Sequence, residues 1–84
     1  MNKYLITVEV PTMELEYDLY IPNNKKIGTI KKYILESITS LSDNSFVEEM
    51  NEVRLINKET EIELNNDVYV KDSGIKNGSK IIII

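Results

Sequence analysis

The 84-residue sequence contains no cysteine, no histidine and no tryptophan, and alanine and glutamine are also missing. Without cysteine there is no disulfide, no thiolate nucleophile and no sulfur ligand for a metal. Without histidine the chain lacks the commonest general base, the commonest metal ligand and the usual switch near neutral pH. Glycine occurs only three times and proline twice. Gly74 and Gly78 are not followed by the Lys-Ser/Thr pair of a phosphate-binding loop. The longest unbroken apolar run is Ile81 to Ile84, far below the roughly 20 residues that span a bilayer. The N-terminus lacks the apolar run of a signal peptide. No membrane insertion is therefore expected, and the cytoplasm is the expected compartment. The formal net charge of −4 argues against nucleic acid, whose binding rests on clustered Lys and Arg. A chain this short is expected to form a single domain over 1–84, burying about 60–65% of its unfolded surface.

The patterning that is present is regular. Tyr4, Ile6, Val8 and Val10 alternate with Lys3, Thr7 and Glu9, which predicts a strand over 3–10 with Leu5 as the one apolar residue on the polar face. Pro11 cannot donate to a ladder and ends it. Glu14 to Ile21 alternates again, with Leu15, Tyr17, Leu19 and Ile21 inward and Glu14, Glu16 and Asp18 outward. The short gap predicts a hairpin, and three carboxylates on one side suit an edge strand. After Pro22-Asn23-Asn24 the period changes. Ile27, Ile30, Ile34, Ile38 and Leu41 are spaced 3, 4, 4 and 3, the apolar stripe of one helix ending near Ser40 to Ser42. Lys31, Lys32 and Glu36 fall on its other faces. Phe46, Val47 and Met50 belong to no assignable element and are expected to close one end of the core. Glu52 to Ile56 reads as a strand, Asn57 to Thr60 as a polar turn, and Ile62 with Leu64 as a short return. Val68, Val70 and Ile75 are expected to point inward. Asn77-Gly78-Ser79 matches a glycosylation acceptor but reads as a turn, and Lys80 to Ile84 is the last strand.

This order predicts an α+β fold: a hairpin, a covering helix, and a last strand parallel to the first in the middle of a mixed sheet of four or five strands. That is the β-grasp arrangement. The chain resembles ubiquitin-like proteins over nearly all of its length. The resemblance is strongest from Val70 through Ser73-Gly74-Ile75-Lys76-Asn77-Gly78 to Ile81, and extends to Pro22 followed by Ile27 and Ile30 and to the step from Leu55 to Ile62. Within that superfamily it is most similar to the small ubiquitin-like proteins encoded in type VII (WXG100) secretion clusters of Gram-positive bacteria. The resemblance implies an accessory or adaptor protein that is not conjugated.

Catalytic and metal chemistry find no support in the residues. The pairs Glu14/Glu16, Glu48/Glu49 and Glu61/Glu63 lie in polar surface patterns, whereas a general acid needs burial or a close like charge. No loop has the spacing of a Ca²⁺ hand. Lys25-Lys26 and Lys31-Lys32 read as a solvated basic face. The expectation is no catalytic residue, no cofactor and no metal. A conjugating modifier or sulfur carrier needs a flexible Gly-Gly end, and the sequence ends instead in four isoleucines. That reading would require a Gly-Gly tail beyond Ile84.

The informative positive feature is a surface. If Ile81 and Ile83 point into the core, period two sends Ile82 and Ile84 to the opposite face of the sheet. Leu5 shares that face on the first strand, and so does Ile56 on the third, with Arg54 beside it. Leu5, Arg54, Ile56, Ile82 and Ile84 are therefore the expected protein-interaction residues. The resemblance implies partner binding through the corresponding face. Two other uses of the same residues stay open: a homodimer interface, and simple strand stabilisation by β-branched side chains.

Overall fold

The computed structural model describes residues 2–41 and 53–84. Phe46, Val47, Met50 and the Glu48/Glu49 pair lie outside them, as does Glu52. Strand β1 (Lys3–Val10) and strand β2 (Leu15–Pro22) form an antiparallel hairpin with Lys3 opposite Pro22 and Val10 opposite Leu15. A 3₁₀ turn over Pro11–Met13 joins them. Glu14 is not the first strand residue but a left-handed turn residue (φ 51°), whose N–H donates to the Pro11 carbonyl at 3.2 Å. In this four-residue connection, 11–14, the one positive φ at its end redirects the chain into the ladder.

Helix α1 (Ile27–Leu41) follows the predicted stripe, and Ile27, Ile30, Ile34 and Ile38 are all buried. Its start has no side-chain cap from Ser, Thr, Asp or Asn. The chain 65–70 supplies carbonyls instead: Ile27 N–H donates to Val68 O (2.8 Å) and Gly28 N–H to Asn66 O (3.0 Å). A Cβ on residue 28 would lie 3.4 Å from that Asn66 oxygen, so glycine permits the close approach that satisfies the helix start.

Strands β3 (Leu55–Asn57), β4 (Ile62–Glu63) and β5 (Lys80–Ile83) complete a five-stranded mixed sheet in the order β2-β1-β5-β3-β4. β5 runs parallel to β1 and antiparallel to β3, and so occupies the centre. The β-grasp prediction holds. Asn57, expected in a turn, belongs to β3. It is buried, and its Oδ1 accepts the Glu59 N–H at 3.1 Å, opening the turn from inside the sheet. The core lies between α1 and one sheet face, built from Ile6, Val8 and Val10 of β1, Leu55 of β3, Ile81 and Ile83 of β5, and the helix isoleucines, with Val70 and Ile75 from the connecting loop.

Candidate interaction face

β5 decides the geometry of the face. Ile81 and Ile83 are 1% and 2% exposed beneath α1, while Ile82 is half-buried and Ile84 is 46% exposed on the other side. The predicted alternation is therefore present. Two neighbours fix the environment of Ile82. It sits opposite Ile56 on β3 and beside Glu9 on β1. Ile84, two residues further on, exchanges both backbone hydrogen bonds with Arg54 (2.8 and 3.0 Å). Leu55 is buried, so Ile56 and Arg54 share the outer face. Ile56, Ile82, Ile84 and Arg54 are thus brought together.

Leu5 is not part of that group. The parallel register puts Thr7 beside Lys80, which places Leu5 level with Gly78, whose N–H donates to the Leu5 carbonyl at 2.7 Å. The row of Asp18, Thr7 and Lys80 lies between Leu5 and Ile82, and Thr7 Oγ1 donates to Asp18 Oδ1 at 2.9 Å. Leu5 pairs instead with Tyr20 on β2, which is 64% exposed. Its N–H donates to Asn77 Oδ1 at 2.7 Å, a bond that pins the 77–78 turn to β1.

Charges frame the three isoleucines. Lys58 Nζ lies 2.9 and 3.1 Å from the two carboxylate oxygens of Glu9. Because Lys58 neighbours Lys80 and Glu9 neighbours Ile82, this ion pair crosses β5 at the edge of the apolar strip. The hydrogen bond and charge of Glu9 raise the Lys58 pKa above the ordinary lysine value. At the other edge Arg54 and Glu63 approach to 3.6 Å, both well exposed; such a pair contributes little to stability. The face is an apolar centre with a rim of both signs, the general anatomy of a protein-binding surface.

Other sequence candidates fall elsewhere. Lys31, read as solvated, is buried at 5% exposure. It follows Ile27 by four residues and precedes Ile34 by three, so its stem borders the buried stripe. Lys26 belongs to a group that sequence reasoning missed: its ammonium and that of Lys71 each lie 5.9 Å from the centre of the Tyr69 ring. Tyr17 Oη reaches the Ile34 carbonyl at 3.5 Å, and burial raises its pKa while a hydrogen bond with Ser37 opposes the shift. Among the described residues no cluster of acidic side chains has the geometry to hold a metal ion. Among the same residues no helix is long and apolar enough to cross a membrane.

No family model and no curated protein matches the sequence. Solved structures do match. A solution structure of an N-terminal ubiquitin-like domain superposes with a TM-score of 0.77 at 16% identity, covering 99% of this chain and 74% of that one. The ubiquitin-like domain of an Arabidopsis thaliana protein gives 0.73 at 18%, covering 100% and 78%. The ubiquitin of Caldiarchaeum subterraneum gives 0.71 at 13%, covering 98% and 91%. A chain of a toluene 4-monooxygenase complex also matches, at 0.77 and 9% identity over 96% and 95%, so the shape serves unrelated tasks. What these likenesses share with the sheet order and helix placement above is the fold: this chain has the ubiquitin-like β-grasp fold.

Proposed function

We propose that this protein is a non-catalytic, non-conjugated ubiquitin-like adaptor that binds a protein partner through the outer face of β5 and β3. The observation that carries the reading is the contiguous strip of Ile56, Ile82 and Ile84 on the side of the sheet away from α1. Isolated exposed apolar residues are ordinary, but a contiguous strip with a charged rim marks a docking surface. Arg54 at its edge suits recognition of a partner carboxylate. The sequence resemblance supports a cytoplasmic component of a type VII secretion cluster as the partner. Residues 80–84 are held by β1 and β3, so a reactive tail of the modifier kind would have to lie beyond Ile84.

The test has two parts. The gene should lie beside those of a WXG100 protein and a secretion ATPase. A ¹⁵N-labelled sample titrated with purified cytoplasmic components of that cluster should show saturable shifts centred on Arg54, Ile56, Ile82 and Ile84, and Ile82→Asp should remove them. Shifts confined to α1, or no response to any component, would contradict the reading. Light scattering separates the alternative use of the strip: a stable dimer that Ile82→Asp dissociates would make this face a self-association surface.

A further inference from the structure

A second surface lies on the other side of the sheet edge, away from the strip just described. β4 is the outermost strand, and its two residues sit between a turn and the loop that leads to the helix start. Ile62 pairs with Asn57, whose side chain is buried on the helix side, so Ile62 also points to that side. Ile62 is nonetheless 63% exposed, among the most exposed large apolar residues described. The preceding residue, Glu61, has φ +60°, a conformation non-glycine residues seldom adopt. The chain therefore holds a strained turn and delivers Ile62 to an open position at its end.

Ile62 lies at the mouth of a shallow groove of about 340 Å³, floored by Leu64 and Val68 and walled by Ser73 and Gly74 of the opposite loop. Glu63 and Asp72 line the same groove. Glu59, Glu61 and Asp67 are exposed on the adjoining turns. Arg54 lies 3.6 Å from Glu63 in a solvent-exposed pair, Lys58 on the adjoining turn is paired with Glu9, and Lys71 beside Asp72 sits over the Tyr69 ring. The floor is apolar, and the charged residues that line the groove, Glu63 and Asp72, are both acidic. The backbone of Glu63 adds to this. Residues 55/64 and 57/62 are the hydrogen-bonded pairs of the β3–β4 ladder, with Leu64 N–H donating to Leu55 O at 2.8 Å. Glu63, between them, therefore turns its N–H and C=O to the free edge.

We propose that this groove receives a short extended, basic and apolar segment of a protein partner. One aliphatic side chain of the segment packs over Ile62 and Val68, and flanking Lys or Arg side chains pair with Glu63 and Asp72. The Glu63 backbone offers one donor and one acceptor to the segment's main chain. The charge of the lining selects the occupant: an acidic segment would meet Glu63 and Asp72 with like charge, and the net charge of −4 opposes a second copy of this chain.

The probe is a synthetic eight-residue peptide of alternating lysine and leucine, titrated into the ¹⁵N-labelled full chain at low salt. Same-length glutamate–leucine and lysine–serine peptides are the controls. The expected result is saturable shifts at Ile62, Glu63, Leu64, Val68 and Gly74 with the lysine–leucine peptide alone. Ile62→Ser should weaken binding by about tenfold or more, because it removes the apolar anchor. Asp72→Asn should flatten the salt dependence. Both changes are at exposed side chains, and unchanged circular dichroism verifies the fold. An equal response to either control overturns the proposal. So do shifts located on Ile56, Ile82 and Ile84 with the groove unmoved, or wild-type affinity in Ile62→Ser. Self-association lost in Ile62→Ser would show a second copy as the occupant and also overturn it. Ile62 and Asp72 lie away from the strip around Ile82, so these variants let the two surfaces succeed or fail separately.

Discussion

Aspartate at position 83 and aspartate at position 82 differ by one step along β5, yet they should have opposite consequences. Ile83 is 2% exposed and packed against the helix stripe. Truncating a buried isoleucine costs about 2–5 kcal/mol, and leaving an uncompensated carboxylate in its place adds about 3–5 kcal/mol. A domain of this size has a total stability of about 4–13 kcal/mol, from roughly 0.05–0.15 kcal/mol per residue. Ile83→Asp should therefore be largely unfolded at neutral pH without denaturant. Ile82 is half-buried on the outer face, directly beside Glu9. The like charge there costs about 0.2–1 kcal/mol, and loss of a β-branched strand residue about 1 kcal/mol. Lys58, already 2.9 Å from Glu9, offsets part of the repulsion. Urea unfolding followed by far-ultraviolet circular dichroism reads both effects. With a slope of about 1–3 kcal/mol/M, Ile82→Asp should lower the midpoint by about 1 M and retain a cooperative transition. Similar losses in the two variants would refute the assigned facing of the strand, and with it the strip on which partner binding is argued.

Gly78 has φ +91° and donates its N–H to the Leu5 carbonyl, so Gly78→Ala should cost about 1–2 kcal/mol, seen as a lower urea midpoint with unchanged slope; no change would mean the turn relaxes freely. Tyr17 and Lys58 both have pKa values raised in the folded state, Tyr17 chiefly by burial and Lys58 by its hydrogen bond to Glu9. A raised folded pKa means the folded protein holds the proton more tightly. The associated stability is complete below the ordinary values of 10.0 and 10.5 and is lost as pH rises through the folded ones. Urea midpoints should therefore fall as pH rises above about 10, and fall less in Tyr17→Phe and in Lys58→Met; a fall of wild-type size in both variants would contradict the assignment. Asn77→Ala removes the acceptor for Leu5 N–H and should speed amide exchange at Leu5 while leaving Ile81 to Ile83 protected.

The sequence was most readable where one physical signal dominated. The isoleucine spacing from 27 to 38 gives a helix face because 3.6 residues make a turn, and the alternation in β1 and β5 gives the facing of Ile81 to Ile84 because a strand has period two. Leu5 was misplaced for a different reason. Its face was correct, but proximity to Ile82 depends on the parallel register between β1 and β5, which the two strands' own patterns leave open. Lys31 carries a charge that suggests solvent, yet its position three and four residues from core isoleucines puts its stem at the edge of the buried stripe. Asn57 has turn chemistry in its side chain and strand geometry in its backbone, and the two coexist at the last residue of β3. The groove at β4 was not legible at all. Ile62 has the parity of a core residue, and its exposure comes with the place of β4 at the sheet edge, a tertiary position that no local pattern encodes.

The claim on which both the facing argument and the interaction strip depend is that β5 is locked into the centre of the sheet. Native-state amide hydrogen exchange measures this directly. Ile81, Ile82 and Ile83 should be among the slowest amides of the chain, exchanging only on global unfolding, with Ile84 slowed by its 3.0 Å bond to the Arg54 carbonyl. Exchange of these amides at the rate of an unstructured peptide, while β1 and β2 stay protected, would contradict the account.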